Sequence, residues 1–256
     1  GFRMRLVSML DEVFATLDSD PAFTSFVMDS QVIPIFDYLE IKPENRKLVE
    51  SYVRKGRLKL GPWYVLPDEW LVSGESLVRN LQTGIELAGE FGAPSSRAGF
   101  MCDMFGHVGQ MPQIFDQMNI PVSFVWRGTL EKESPGHFNW KAPDGTITPA
   151  YRFGRTGYCT YAFAVRDPFG DDPFDLEKAV ESMVDFAVMQ SRRIKTGPIL
   201  IFDGGDHLEI EPQTSVLISR ANEQLESHGI TVVHSTLDNY MTDLLKDAGT
   251  FRKPSS

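Results

Sequence analysis

Cysteine is almost missing from this 256-residue chain. The two present, Cys102 and Cys159, are too few for a disulfide framework. No apolar run reaches the roughly 20 residues of a membrane-spanning helix, and no charged-then-apolar leader opens the sequence. Positive charge is scarce as well: 25 Lys and Arg face 35 Asp and Glu, a formal net charge of -10. The one basic cluster, Arg192-Arg193 with Lys195, reads as a solvated helix end. Neither nucleic acid nor a membrane is therefore an expected partner, because a phosphate surface needs a continuous cationic stripe. A cytoplasmic setting is the expectation. Also lacking are a glycine-rich phosphate loop ending in lysine, a Gly-x-Ser-x-Gly elbow and a His-Glu-x-x-His helix.

The opening lacks a strand. Phe2, Leu6, Met9, Leu10, Val13 and Leu17 recur at helical spacing, so the sequence starts inside an amphipathic helix. Alternating α/β chains usually begin with a strand, so one is expected before Gly1, and the chain is read as part of a longer polypeptide.

What is present alternates regularly. Strands are expected at 23–28, 57–63, 97–103, 121–126, 198–202 and 230–234, and helices at 43–54, 73–90, 110–118, 173–190, 214–228 and 237–245. Ser73 is the expected cap of its helix. Asp144-Gly145 between extended flanks predicts a β-hairpin over 138–151. The tail, 251–256, is expected to fray. Strands followed by helices imply a largely parallel sheet, and apolar runs such as Ile199-Leu200-Ile201-Phe202 fit burial on both faces. No repeat or linker interrupts the pattern, so residues 1–256 read as one α/β domain.

Such folds place chemistry at the C-terminal ends of their strands. The organising stretch there is Met101-Cys102-Asp103-Met104-Phe105-Gly106-His107. Asp103 suits a nucleophile, a base or a metal ligand, or it caps the helix that follows. Other strand ends supply Asp29 and Gln31, Trp63, Asp68 and Glu69, Trp126 and Arg127, and Asp203, Asp206 and His207. Aromatic rings and carboxylates on one rim suit a sugar: rings stack on C–H faces, and acids grip hydroxyls. Trp63 and Trp126 read either as sugar walls or as core, and Asp68 and Glu69 either as site acids or as caps for the helix near Ser73. Asp103 and Asp206, from different strands, could supply the paired carboxylates of glycoside hydrolysis. His107 or His207 could instead join Asp103 around a metal.

Several linked stretches resemble one family. Gly61-Pro62-Trp63-Tyr64-Val65-Leu66-Pro67-Asp68-Glu69 with the following Ser73–Leu81 run, Asp103-Met104-Phe105-Gly106-His107, Phe124-Val125-Trp126-Arg127-Gly128, Trp140–Gly145 and Gly204-Gly205-Asp206-His207 appear in the order of glycoside hydrolase family 38, the α-mannosidases. The resemblance runs from the first helix to about Leu245. It implies an irregular, seven-stranded β/α barrel-like catalytic domain with mostly parallel strands. It also implies retaining, zinc-assisted cleavage of an α-mannoside. By motif, Asp103 would be nucleophile and zinc ligand and Asp206 the acid/base, with Trp63, Arg127 and Tyr158 as substrate contacts. Family members carry a His-x-Asp zinc pair on a first strand and a further histidine in a later domain. Neither has a counterpart in this sequence, so the metal shell is expected to be incomplete, with His207 the candidate to accompany Asp103. Two other classes stay open at this point: a metal-dependent carbohydrate deacetylase, and a sugar-binding remnant without catalysis.

Overall fold

A computed structural model describes residues 1–130, 132, 136–167 and 173–251. The first helix, α1 (Phe2–Ser19), buries Val7, Leu10, Val13, Phe14 and Leu17, the one-face spacing read from the sequence. That face packs on α2 (Ile33–Ile41) and α3 (Arg46–Arg54) around a core completed by Phe23, Met28 and Leu58. Arg57 locks the end of α1 to the next turn. Its guanidinium donates to the Leu17 carbonyl at 2.6 Å and the Phe23 carbonyl at 2.8 Å, satisfying acceptors that a helix end leaves open. The sequence reading missed α2. Its start carries Pro34, whose fixed φ and missing N–H suit a first helical turn.

The sheets are short. β1 (Phe26–Val27) pairs in parallel with β2 (Leu58–Lys59). A second sheet runs β3 (Ala98–Met101), β4 (Val122–Val125), β6 (Ile147–Arg152), β5 (His137–Lys141). Every residue of β3 and β4 is buried, as expected for central parallel strands covered on both faces. The expected hairpin is present, with Phe138 opposite Ala150 and Trp140 opposite Thr148. The hairpin belongs to the sheet: β6 also pairs in parallel with β4, placing Val125 beside Arg152.

Helix α4 (Gly74–Gly89) begins where expected, with Ser73 Oγ accepting from the Ser76 amide at 3.2 Å. α5 (Met111–Gln117) follows β3. α6 (Leu176–Arg193) is capped by Asp175, α7 (Thr214–Leu225) follows the 203–213 loop, and α8 (Leu237–Asp247) is capped by Thr236.

Two expectations need correction. Residues 198–202 and 230–234 pair in no ladder. An apolar run supplies hydrophobic side chains, but a strand also needs a neighbour to receive its N–H and C=O groups. Both segments instead line a cavity of about 1070 Å³, with 25–29 contributing another part of its wall. The seven-stranded barrel-like domain is therefore replaced, among the described residues, by six strands in two mostly parallel sheets within a mixed α/β fold. Of the tail expected to fray, 252–256 lies outside the described residues.

Candidate active site

Parallel pairing in register sets the first part of the site. Met101 lies beside Val125, so the residues two beyond each, Asp103 and Arg127, leave the sheet side by side. The Arg127 Nε–H donates to Asp103 Oδ1. Its guanidinium also lies over the rings of Trp126, at 4.2 Å, and Phe105, at 5.2 Å. Both partners are partly open to solvent, where an ion pair adds little stability. Its effect is to orient the carboxylate.

Behind Asp103 the loop is held from below. His107 Nδ1 lies 2.8 Å from Glu69 Oε1, and Glu69 Oε2 accepts the Val108 amide at 2.8 Å. The Glu69 and His107 side chains are 0 % and 4 % exposed, and the imidazole meets Trp140 edge-on at 5.5 Å. Glu69 therefore does not cap α4. His107 Nδ1 is thus engaged by Glu69 within this pocket. Two glycines let the walls close on the loop. A Cβ on Gly106 would stand 2.2 Å from Trp70 Nε1, and one on Gly128 would stand 2.8 Å from Gly106 Cα.

The second carboxylate comes from the 203–209 loop. The Tyr158 hydroxyl donates to Asp206 Oδ1 at 2.8 Å. Burial, then this hydrogen bond, raises the Tyr158 pKa, so the phenol stays a donor. Tyr158 is itself held edge-on to Trp126 at 5.8 Å and to Phe100 at 6.4 Å. Asp203 is taken by Arg166 Nη1 at 2.9 Å, and Arg166 Nη2 ties the same loop down at the Glu209 carbonyl, 2.6 Å away. The backbone of His207 is left-handed, with φ 60°. Its ring stacks on Phe2 at 4.9 Å, and its carbonyl accepts from Arg5 at 2.9 Å.

Asp103, Asp206 and Tyr158 line the same cavity, with Asp29, Asp68 and Phe105. Asp29 is exposed along the cavity, while the surrounding protein still crowds its carboxyl group. Burial raises its pKa to about 7, the Gln31 amide opposes the rise, and the charge of Asp206 adds to it. Both Asp29 and Ser30 hold positive φ, 45° and 56°, a strained conformation for non-glycine residues that clusters at functional sites. Gln31 braces the turn, donating to Asp29 Oδ2 at 3.0 Å and accepting the Leu66 amide at 2.9 Å.

Of the residues singled out in the sequence, Asp103, Asp206 and Tyr158 line one cavity, while Arg127, expected as a substrate contact, is instead paired with Asp103. Trp63 is a correction. It is wholly buried, donates its indole N–H to the Phe100 carbonyl at 3.1 Å and packs on Phe115, so it is core rather than a sugar wall. Arg166 was missed; nothing in the sequence near it signals a site. For a metal the donor set is thin: among the described residues no three His, Cys, Asp or Glu groups come together.

The sequence model of the glycosyl hydrolases family 38 N-terminal domain matches residues 3–254. A protein of Halalkalibacterium halodurans, provisionally named a mannosylglycerate hydrolase, is 29 % identical over 96 % of this chain and 28 % of its own length. The crystal structure of an alpha-mannosidase from Enterococcus faecalis V583 superposes with a TM-score of 0.86 at 28 % identity, covering 99 % of this chain and 28 % of that one. A glycosyl hydrolase family 38 protein from Enterococcus faecalis gives 0.75 at 27 % identity, covering 100 % and 26 %. The chain spans little more than a quarter of the length of these relatives.

Proposed function

The chain belongs to glycosyl hydrolase family 38, and on that premise we propose that it is the nucleophile-bearing part of a retaining α-mannoside hydrolase. One observation carries the reading: Asp103, fixed by Arg127, and Asp206, fixed by Tyr158, face a common cavity from different loops. Glycoside cleavage needs two carboxyl groups in different roles on either side of the scissile bond. Asp103 Oδ attacks the anomeric carbon and forms a glycosyl ester, while Asp206, in the acid role, hands a proton to the departing oxygen. Asp206 then takes a proton from water, which attacks the anomeric carbon and releases Asp103. Phe105 and Tyr158 supply ring surface to the same space. The mannoside is supported by the likeness to the alpha-mannosidase and to the mannosylglycerate hydrolase.

Zinc enters on the family resemblance alone. Asp103 is already paired with Arg127 and the His207 ring lies on Phe2, and zinc sites take three or four protein ligands. The described residues do not fit a zinc shell.

The test is hydrolysis of 4-nitrophenyl α-mannoside by the chain, with zinc content measured after dialysis. Asp103→Asn is expected to lower kcat on the order of 10³-fold or more with an unchanged circular dichroism spectrum. Near-normal turnover by that variant removes the nucleophile assignment. Mannose binding without turnover, unaffected by Asp103→Asn, makes the chain a sugar-binding module instead. Zinc near one per chain would place a full ligand set within these residues.

A further inference from the structure

The pair beneath the Asp103 loop has no part in the chemistry above. A glutamate with no exposed side-chain surface is rarely left in a protein interior without a strong reason. Glu69 spends both oxygens on one loop: Oε1 meets His107 Nδ1 and Oε2 meets the Val108 amide, each at 2.8 Å. A carboxylate can only accept, so His107 carries its proton on Nδ1. His107 Nε2 is buried and has no hydrogen-bond partner among the described residues, so its bare lone pair is the less costly form there. Asp103 stands at one end of this six-residue loop and Val108 at the other. Trp70, next to Glu69, presses its indole on Gly106, so the acid and the ring beside it clamp the loop at three successive residues.

We infer that Glu69 and His107 form a buried positioning pair that sets the Asp103 carboxylate at its working angle. The pair acts through the loop backbone and touches no substrate. Its catalytic consequence rests on Asp103 being the nucleophile; its structural consequence does not.

Two variants separate these. Glu69→Ala removes both acceptors. The Val108 amide should lose its protection from hydrogen exchange, and kcat on 4-nitrophenyl α-mannoside should fall about 10²-fold with KM within about twofold, as expected when a reacting group is misplaced by about 1 Å. Glu69→Gln keeps one acceptor for Val108 and presents an amide N–H to His107. Protection at Val108 should persist, and the His107 proton should move from Nδ1 to Nε2, read from the ¹⁵N shifts of the ring. Its kcat should recover most of the loss seen with alanine.

The inference is overturned if the Val108 amide exchanges equally in the wild type and Glu69→Ala, or if the wild-type ring carries its proton on Nε2. It is also overturned if Glu69→Ala only lowers the melting temperature while the folded fraction turns over at the wild-type kcat. A wild-type chain with no mannoside turnover would sink the glycosidase reading alone. The exchange and ring-nitrogen results would still decide the clamp.

Discussion

The two carboxylates proposed for catalysis rest on unlike foundations. Asp103 follows a strand of four buried residues, paired in register with a neighbour of the same kind, and its loop is gripped by Glu69, Trp70 and Arg127. Asp206 follows a segment with no ladder pairing and is itself exposed. It is held by one phenol, while Arg166 and Arg5 tie down the loop around it. The difference suits the two roles proposed for them. A nucleophile has to meet a carbon along a narrow line of approach, where a small displacement is costly. A proton donor tolerates more latitude, since its hydrogen bond tightens when the substrate is bound.

The most forceful way to break this contrast is to remove the looser carboxylate. Asp206→Ala should lower turnover of mannosides with poor leaving groups by about 10²–10⁴-fold, and that of activated aryl mannosides far less. An aryl leaving group departs without a proton; an alkoxide does not. Rates on a methyl and a 4-nitrophenyl mannoside, compared side by side, decide it. Equal losses on both would take the acid/base role away from Asp206.

The contrast in support predicts a contrast in stability. Phe124, fully buried in β4, packs against the rings of Tyr151 at 6.3 Å and Tyr240 at 6.0 Å. Phe124→Ala should cost about 3–5 kcal/mol of unfolding free energy. Val233, 70 % exposed on the cavity side, should change stability by no more than about 0.5 kcal/mol when cut to alanine. Urea unfolding of both variants measures the gap. A large loss at Val233 would mean that the cavity wall is packed in solution, and the two halves would no longer differ.

The same contrast explains what the sequence could tell. Local signals were legible where one residue type had one job: Ser73 as a cap, Asp144-Gly145 as a hairpin turn, the spacing of α1, the mostly apolar runs of β3 and β4. The apolar run 198–202 looked the same as β3, because hydrophobicity reports burial and not the presence of a partner strand. Trp63 stands beside site residues in the chain, yet its ring turns inward, which sequence spacing does not encode. Asp103 was legible as a strand-end acid; Asp206 was read as one too, although the segment before it pairs in no ladder. Glu69 was visible as an acid, but its bond to a histidine 38 residues away was not.

Asp29 offers the finest test, because its environment belongs to both halves. It lies two residues beyond the short β1, its turn is braced by Gln31, and it feels the charge of Asp206. Its folded pKa of about 7 lies above the ordinary 3.8. Between those values the folded chain keeps a proton that the unfolded chain has lost. Its contribution to stability is therefore intact below about pH 4 and is lost as the pH rises through about 7. Opening onto the cavity, the group is partly screened, so the effect should be the smallest of those named here. Asp29→Asn is expected to flatten the fall in melting temperature between pH 4 and 7 relative to wild type. Asp206→Asn should remove part of that fall by deleting the neighbouring charge. If Asp29→Asn leaves the slope as it was, Asp29 ionises as an ordinary surface carboxylate. The cavity floor would then be as open to water as its exposed wall, and only the Asp103 side would be shielded.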